Sequence, residues 1–189
     1  MDPVPTPPAR VRFAGGLSGR WQVMAQSAVA GPGLPPAARV DDAGAIPGAA
    51  WTLQGVASNQ RYATRAEDTE LRAVQEGLGR PAARHAALIP IRKSAAWWGL
   101  PQDERRALFA QAHHAIGMAT LPQVARRLLH GRDLGEPFDF LTWFEFAPEH
   151  APLFDAMLVQ LRATEEWSFV EREVEIRLIR LPGRDDPAS

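Results

Sequence analysis

The feature that most limits what this chain can fold into is its period-two patterning. In FVEREVEIRLIRL (residues 169–181), Val170, Val174, Ile176 and Leu178 fall on one side of an extended chain, with charged residues on the other. FDFLTWFEF (138–146) alternates in the same way. Such alternation belongs to sheets with one covered face, because a doubly covered parallel strand reads as an unbroken apolar run. WTLQGVA (51–57) and HAALIPI (85–91) read as two further strands.

Between the strands the period changes to that of a helix. Residues 63–78 carry a capping box at Thr64 and Glu67 and an apolar stripe of Leu71, Val74 and Leu78, stopped by Gly79 and Pro81. Pro101 opens a helix running to Met118, with Asp103 and Glu104 in its first turn and Gly117 as its candidate end. Pro122 opens a short helix ending near Gly131, and Pro148–Ala163 is amphipathic through Leu153, Phe154, Met157, Leu158 and Leu161. Ahead of these, VRF and RWQVMAQSAV flank GGLSG as a hairpin, and the Gly- and Pro-rich residues 31–49 read as a loop. Residues 1–9 and 182–189 are tails. The element order predicts an α+β sandwich with two similar halves that share no evident sequence repeat.

Composition narrows the chemistry. The 189 residues contain no cysteine, which excludes thiolate-held zinc, iron–sulfur clusters, disulfides and cysteine nucleophiles. A net charge of −1 argues against nucleic acid as a partner. No apolar run approaches the roughly 18 residues that span a bilayer, and no secretory signal is evident, so the expected location is cytoplasmic.

Four residue pairs could carry chemistry. His113 has Phe109 and Ile116 as its helix-surface neighbours, which makes it a better inward imidazole than His114; an ordinary core or surface histidine is the bland reading. Adjacent helical histidines point roughly 100° apart and cannot share a metal. Arg126 and Arg127 flank the stripe of Leu121, Val124, Ala125 and Leu128 on opposite sides, and periodicity does not choose between them. Trp97 and Trp98 follow Lys93 by four and five residues, a pattern that more often serves packing. Glu165 and Glu166 sit at a helix end, where the dipole disfavours carboxylates, which hints at another task for one of them.

Taken together, SNQRY, LIPIRKSAAWW, HHAIG, LPQVARRLLH, RDLGEPFDFLTWFEFAPE and LRATEEWSFVEREVEIRL resemble the chlorite dismutase family in its short form. The resemblance covers most of the chain from Trp51 onward. It implies two ferredoxin-like halves forming an α/β-barrel-type sandwich over residues 10–181, a reduced N-terminal half (10–90) and a C-terminal half (91–181) that binds one heme b per subunit. It implies His113 as proximal iron ligand, Glu166 as the partner of that histidine and Arg126 as distal arginine, with His114, Glu165 and Arg127 as alternatives. It further implies Asn59, Tyr62, Lys93 and Trp97 as residues that hold the propionates and line the pocket. The implied activity is decomposition of chlorite, a small anionic substrate, to chloride and dioxygen with O–O bond formation, in a homodimer. The competing readings are a heme protein with weak peroxidase or heme-sensing or storage function, and a heme-free scaffold.

Overall fold

A computed structural model describes residues 10–43, 46–57, 77–120 and 123–182, with side chains for all of these except residues 112–119. Eight strands form the fold: β1 (Arg10–Gly16), β2 (Trp21–Ala30), β3 (Arg39–Asp41), β4 (Trp51–Ala57), β5 (His85–Lys93), β6 (Val124–His130), β7 (Phe140–Phe146) and β8 (Val170–Arg180). They close into an antiparallel barrel in the order β1-β3-β2-β8-β5-β7-β6-β4. Among the described residues three helices accompany them, α1 (Ala95–Gly99), α2 (Gln102–Thr120) and α3 (Ala151–Arg162), together with a 3-10 turn at Glu165–Phe169. The mixed α/β composition matches the expectation, and the sheet closes into a barrel, in keeping with the barrel-type arrangement that the resemblance implies.

The strand order has an internal regularity. The first four strands lie as β4-β1-β3-β2 and the last four as β8-β5-β7-β6, the same 4-1-3-2 order, joined at β2–β8 and β4–β6. In the second set, α1 and α2 connect β5 to β6, and α3 connects β7 to β8.

Two apolar clusters hold these elements. Phe13, Trp21, Leu53, Leu88, Leu141, Trp143 and Ile176 fill the barrel interior. Ile89, Ile91, Val124, Phe144, Phe146, Phe154, Met157 and Leu158 join the outer face of β5, β7 and β6 to α3. β7 is therefore buried at every position, on both faces.

Several sequence expectations need correction. Residues 124–130 are a strand, not a helix. Val124, Ala125, Leu128 and Leu129 suit a helical stripe, but they equally suit a strand covered on both sides, with Val124 in the outer cluster and Leu129 in the inner one. β1 and β2 do not pair as a hairpin, because β3 inserts between them through Trp21↔Val40 and Gly16↔Arg39. A three-residue strand leaves no periodic signal in a Gly- and Pro-rich stretch. Val170 leaves the face it was expected to share: a register shift at Arg92/Lys93 precedes it, and it packs on the outer cluster. α2 runs past Gly117 to Thr120. The expected helix at 63–78 falls almost wholly outside the described residues, as do Asn59 and Tyr62.

Candidate functional site

Strand alternation decides which arginine faces the helices. Arg126 lies opposite Phe144, and Leu128 lies opposite Thr142, which in turn lies opposite Ile89; directly opposed residues share a face. That row faces outward, toward α2 and α3. Arg127 lies opposite Trp143 and Leu88, the interior row. There it borders a separate polar space of about 520 Å³ with Arg20, Asp42 and Glu145.

The outward row borders a cavity with about 790 Å³ of empty space, part of it open to solvent. Ile89, Ile91 and Lys93 from β5, Val124, Arg126 and Leu128 from β6, and Phe140, Thr142 and Phe144 from β7 form its floor. Phe109 and Thr120 of α2, Met157, Leu158 and Leu161 of α3, and Glu166 and Trp167 of the 3-10 turn complete it. The walls are mostly apolar and the polar groups few, which is the usual make-up of a small-molecule site.

Three charged groups meet at this cavity. Lys93 Nζ donates to Glu166 Oε1 at 2.8 Å and to the Glu166 carbonyl at 3.2 Å, with both side chains 2% exposed. The ammonium lies 4.5 Å from the Trp97 ring centroid and 5.4 Å from that of Trp167. Burial holds the Lys93 pKa below its ordinary value despite the attraction of Glu166. Arg126 is half-buried, since it borders the open space, yet desolvation lowers its guanidinium pKa, with Glu166 opposing that shift. The backbone at Lys93 is pinned as well: its N–H donates to Asp139 Oδ2 at 2.7 Å.

The predicted residues are thus placed unevenly. Lys93, Arg126 and Glu166 converge on one cavity. Glu165 is exposed, so the two glutamates are separated by burial. Trp97 is fully buried behind Lys93 in α1 and does not border the cavity, and its indole N–H has no acceptor among the described residues. His113 and His114 lie on α2, but their side chains are outside the described set. α2 packs against α3 and against the Glu165–Phe169 turn. Sequence reasoning missed the ion pair of Lys93 with Glu166, residues 73 apart in the chain, and the role of Trp167 in the wall.

The profile of the chlorite dismutase family matches residues 42–180. A crystal structure of dimeric chlorite dismutase from Nitrobacter winogradskyi superposes with a TM-score of 0.85 at 54% identity, covering 90% of this chain and 99% of that one. Chlorite dismutase from Candidatus Nitrospira defluvii, in complex with imidazole, gives a TM-score of 0.56 at 30% identity over 69% of this chain and 55% of the other. Chlorite dismutase from Ideonella dechloratans is 39% identical over 64 residues, a match that spans 34% of this chain and only 22% of that relative. With the profile running from the end of β3 to the end of β8, the chain belongs to the chlorite dismutase family of enzymes.

Proposed function

We propose that this protein binds one heme b per subunit in the cavity between β5, β6, β7 and the helices, and that it decomposes chlorite to chloride and dioxygen. The observation that carries this reading is the convergence of Arg126 and the Lys93–Glu166 pair on one apolar-walled space.

The residues present fit such a group. The walls are mostly apolar with a few convergent polar groups, the make-up of small-molecule and cofactor pockets. Phe109 and Thr120 border the space, and position 113 stands four residues after the first and seven before the second, on the same helix face. His113 is therefore the ligand we assign. Glu166 is assigned as acceptor of the other ring N–H, a bond that fixes the tautomer and strengthens the imidazole as a donor. Lys93 holds the Glu166 carboxylate in place by donating to its Oε1 at 2.8 Å. With its ammonium committed to that carboxylate, we read Lys93 as partner of Glu166 rather than as a propionate ligand. Asn59 and Tyr62 remain the proposed propionate residues.

The heme, when bound, supplies the centre at which a chlorine–oxygen bond breaks and a dioxygen bond forms. Arg126 supplies the anion binding. A guanidinium remains protonated at any working pH and offers several donors to an oxyanion. In an apolar cavity that attraction is much stronger than in water. Arg126 would hold chlorite on entry and keep hypochlorite in the cavity until dioxygen forms.

Two structural assignments accompany this reading. The repeated 4-1-3-2 strand order supports two ferredoxin-like halves, the second carrying helices and the heme. β5 runs through residues 90 and 91, so we place the division between the halves before His85. The similarity to a dimeric enzyme over 99% of its length supports a homodimer, which light scattering in solution tests.

The deciding experiment is oxygen evolution from chlorite by the heme-loaded protein. A normal heme spectrum without oxygen production would refute the activity. His113→Ala should lose heme or its Soret band, and an unchanged spectrum would reassign the ligand.

A further inference from the structure

Glu173, on β8, is a second buried carboxylate, 1% exposed, that does not border the cavity. Its oxygens are divided between two elements. Oε1 accepts from Arg162 Nε at 3.0 Å and Nη2 at 2.5 Å, at the end of α3. Oε2 accepts the indole N–H of Trp167 at 2.8 Å, in the 3-10 turn beside Glu166. Arg162 does not depend on Glu173 alone for its charge balance, because its Nη2 also donates to Glu175 Oε2 at 2.6 Å. Trp167 has no such second acceptor among the described contacts, so Oε2 is what fixes its ring.

The turn is tied at both ends by backbone bonds. Thr164 N–H donates to the Leu161 carbonyl of α3 at 3.1 Å, and Ser94 N–H donates to the Phe169 carbonyl at 2.7 Å. Between these ties, the Glu173–Trp167 bond joins the Lys93–Glu166 pair in anchoring the turn to the barrel wall, the first to β8 and the second to β5.

We propose that Glu173 is a positioning residue for the heme site: by accepting the indole N–H of Trp167 it locks the turn that presents Glu166 to Lys93 and His113. The inference rests on the reading of Glu166 as the partner of His113. A turn released from Glu173 leaves Glu166 a poorer acceptor. The imidazole then donates less charge, the ferric state is less stabilised, and the reduction potential rises.

The test compares heme-loaded wild type, Glu166→Gln, Glu173→Gln, Trp167→Phe and Glu175→Gln by spectroelectrochemical titration and heme affinity. Glu173→Gln and Trp167→Phe should raise the potential in the same direction as Glu166→Gln, by a smaller amount, and weaken heme binding by about tenfold, the low end for residues that orient a metal ligand. Glu175→Gln, which touches Arg162 but not Trp167, should leave the potential unchanged. Equal shifts in Glu173→Gln and Glu175→Gln would show a merely structural tie and overturn the proposal. A shift in Glu166→Gln without one in Trp167→Phe and Glu173→Gln would overturn this inference alone. No shift in Glu166→Gln would overturn the reading of Glu166, and this inference with it. Trp167→Phe keeps the ring in place, so a Glu173→Gln variant that fails to fold still leaves a decisive comparison.

Discussion

Lys93 is the only lysine in the chain, and it is buried against Glu166. Lys93→Met preserves length and apolar packing but strands the Glu166 carboxylate in a low-dielectric site. Removing one partner of a buried pair costs about 3–5 kcal/mol. Arg126 attracts the same carboxylate, and Met sheds the desolvation cost that the Lys93 ammonium carries; both offset part of this, so the expected loss is about 3 kcal/mol, the low end of that range. At about 2–4 °C per kcal/mol for a chain of this size, the thermal midpoint should fall by roughly 6–12 °C. The measurement is thermal and urea unfolding without added heme, which keeps ligand binding out of the comparison. Glu166→Gln and the double variant complete a cycle, and the double variant should be more stable than the two single losses predict by about 2 kcal/mol. A midpoint within about 1 °C of wild type would refute the assignment of this pair as a coupled buried one.

The same side chain makes a pH prediction whose sign is unambiguous. Burial lowers the folded pKa of Lys93 below its ordinary 10.5. Between the lowered value and 10.5 the unfolded chain holds a proton that the folded chain does not, so stability rises with pH across that window. Below the lowered value both states are protonated and the slope vanishes. Tyr62 is the only tyrosine and no cysteine is present, so few other side chains titrate between about pH 8 and 11. Lys93→Met should flatten the rise in urea midpoint over that range, and an unchanged slope would count against the burial argument.

Arg126→Ala should leave heme bound while oxygen yield falls and hypochlorite escapes, whereas Arg127→Ala, on the interior face, should retain turnover; steady-state oxygen traces with a hypochlorite trap separate the two. Phe154→Ala should cost about 3–5 kcal/mol in urea unfolding, because the ring is fully buried with centroids 4.5 Å from Phe146 and 5.0 Å from Phe144. Gly55→Ala should cost about 1–3 kcal/mol by overpacking, since an added Cβ would sit 2.7 Å from Leu129 Cβ where β4 meets β6 at only two register pairs; a neutral result would mean that this seam can open.

How much was legible depended on what covers each strand. β8 shows its alternation because Glu173, Glu175 and Arg177 bear the outer face while Val174, Ile176 and Leu178 fill the barrel. β6 lost that signal: its two faces meet the barrel core and the helix layer, so apolar residues occur in both phases and mimic a helix. The error mattered for the site. On a helix, Arg126 and Arg127 would sit about 100° apart with no clear preference; on a strand they face opposite sides, and only Arg126 reaches the cavity. The choice between Glu165 and Glu166 was likewise invisible before the turn was placed, since one residue of rotation separates an exposed carboxylate from a buried one.

The position of the charges explains why the site belongs to the second set of strands. Its outer sheet face is covered by α3 and bordered by α2, and such a cover creates a dry layer where an ion pair is strong and a lone charge is costly. Lys93 and Glu166 enter that layer together, from the end of β5 and from the turn ahead of β8, strands that pair with each other. Arg126 enters from β6, two strands away, opposite Phe144. Both Lys93 and Arg126 feel the charge of Glu166 in the layer. An anion entering the cavity would meet the Arg126 guanidinium among apolar walls, a setting that favours negatively charged ligands. Glu166→Gln should accordingly strengthen the binding of a small inert anion in the heme-free protein, and a weakened response in a fluoride or azide titration followed by Trp fluorescence would refute that selectivity argument.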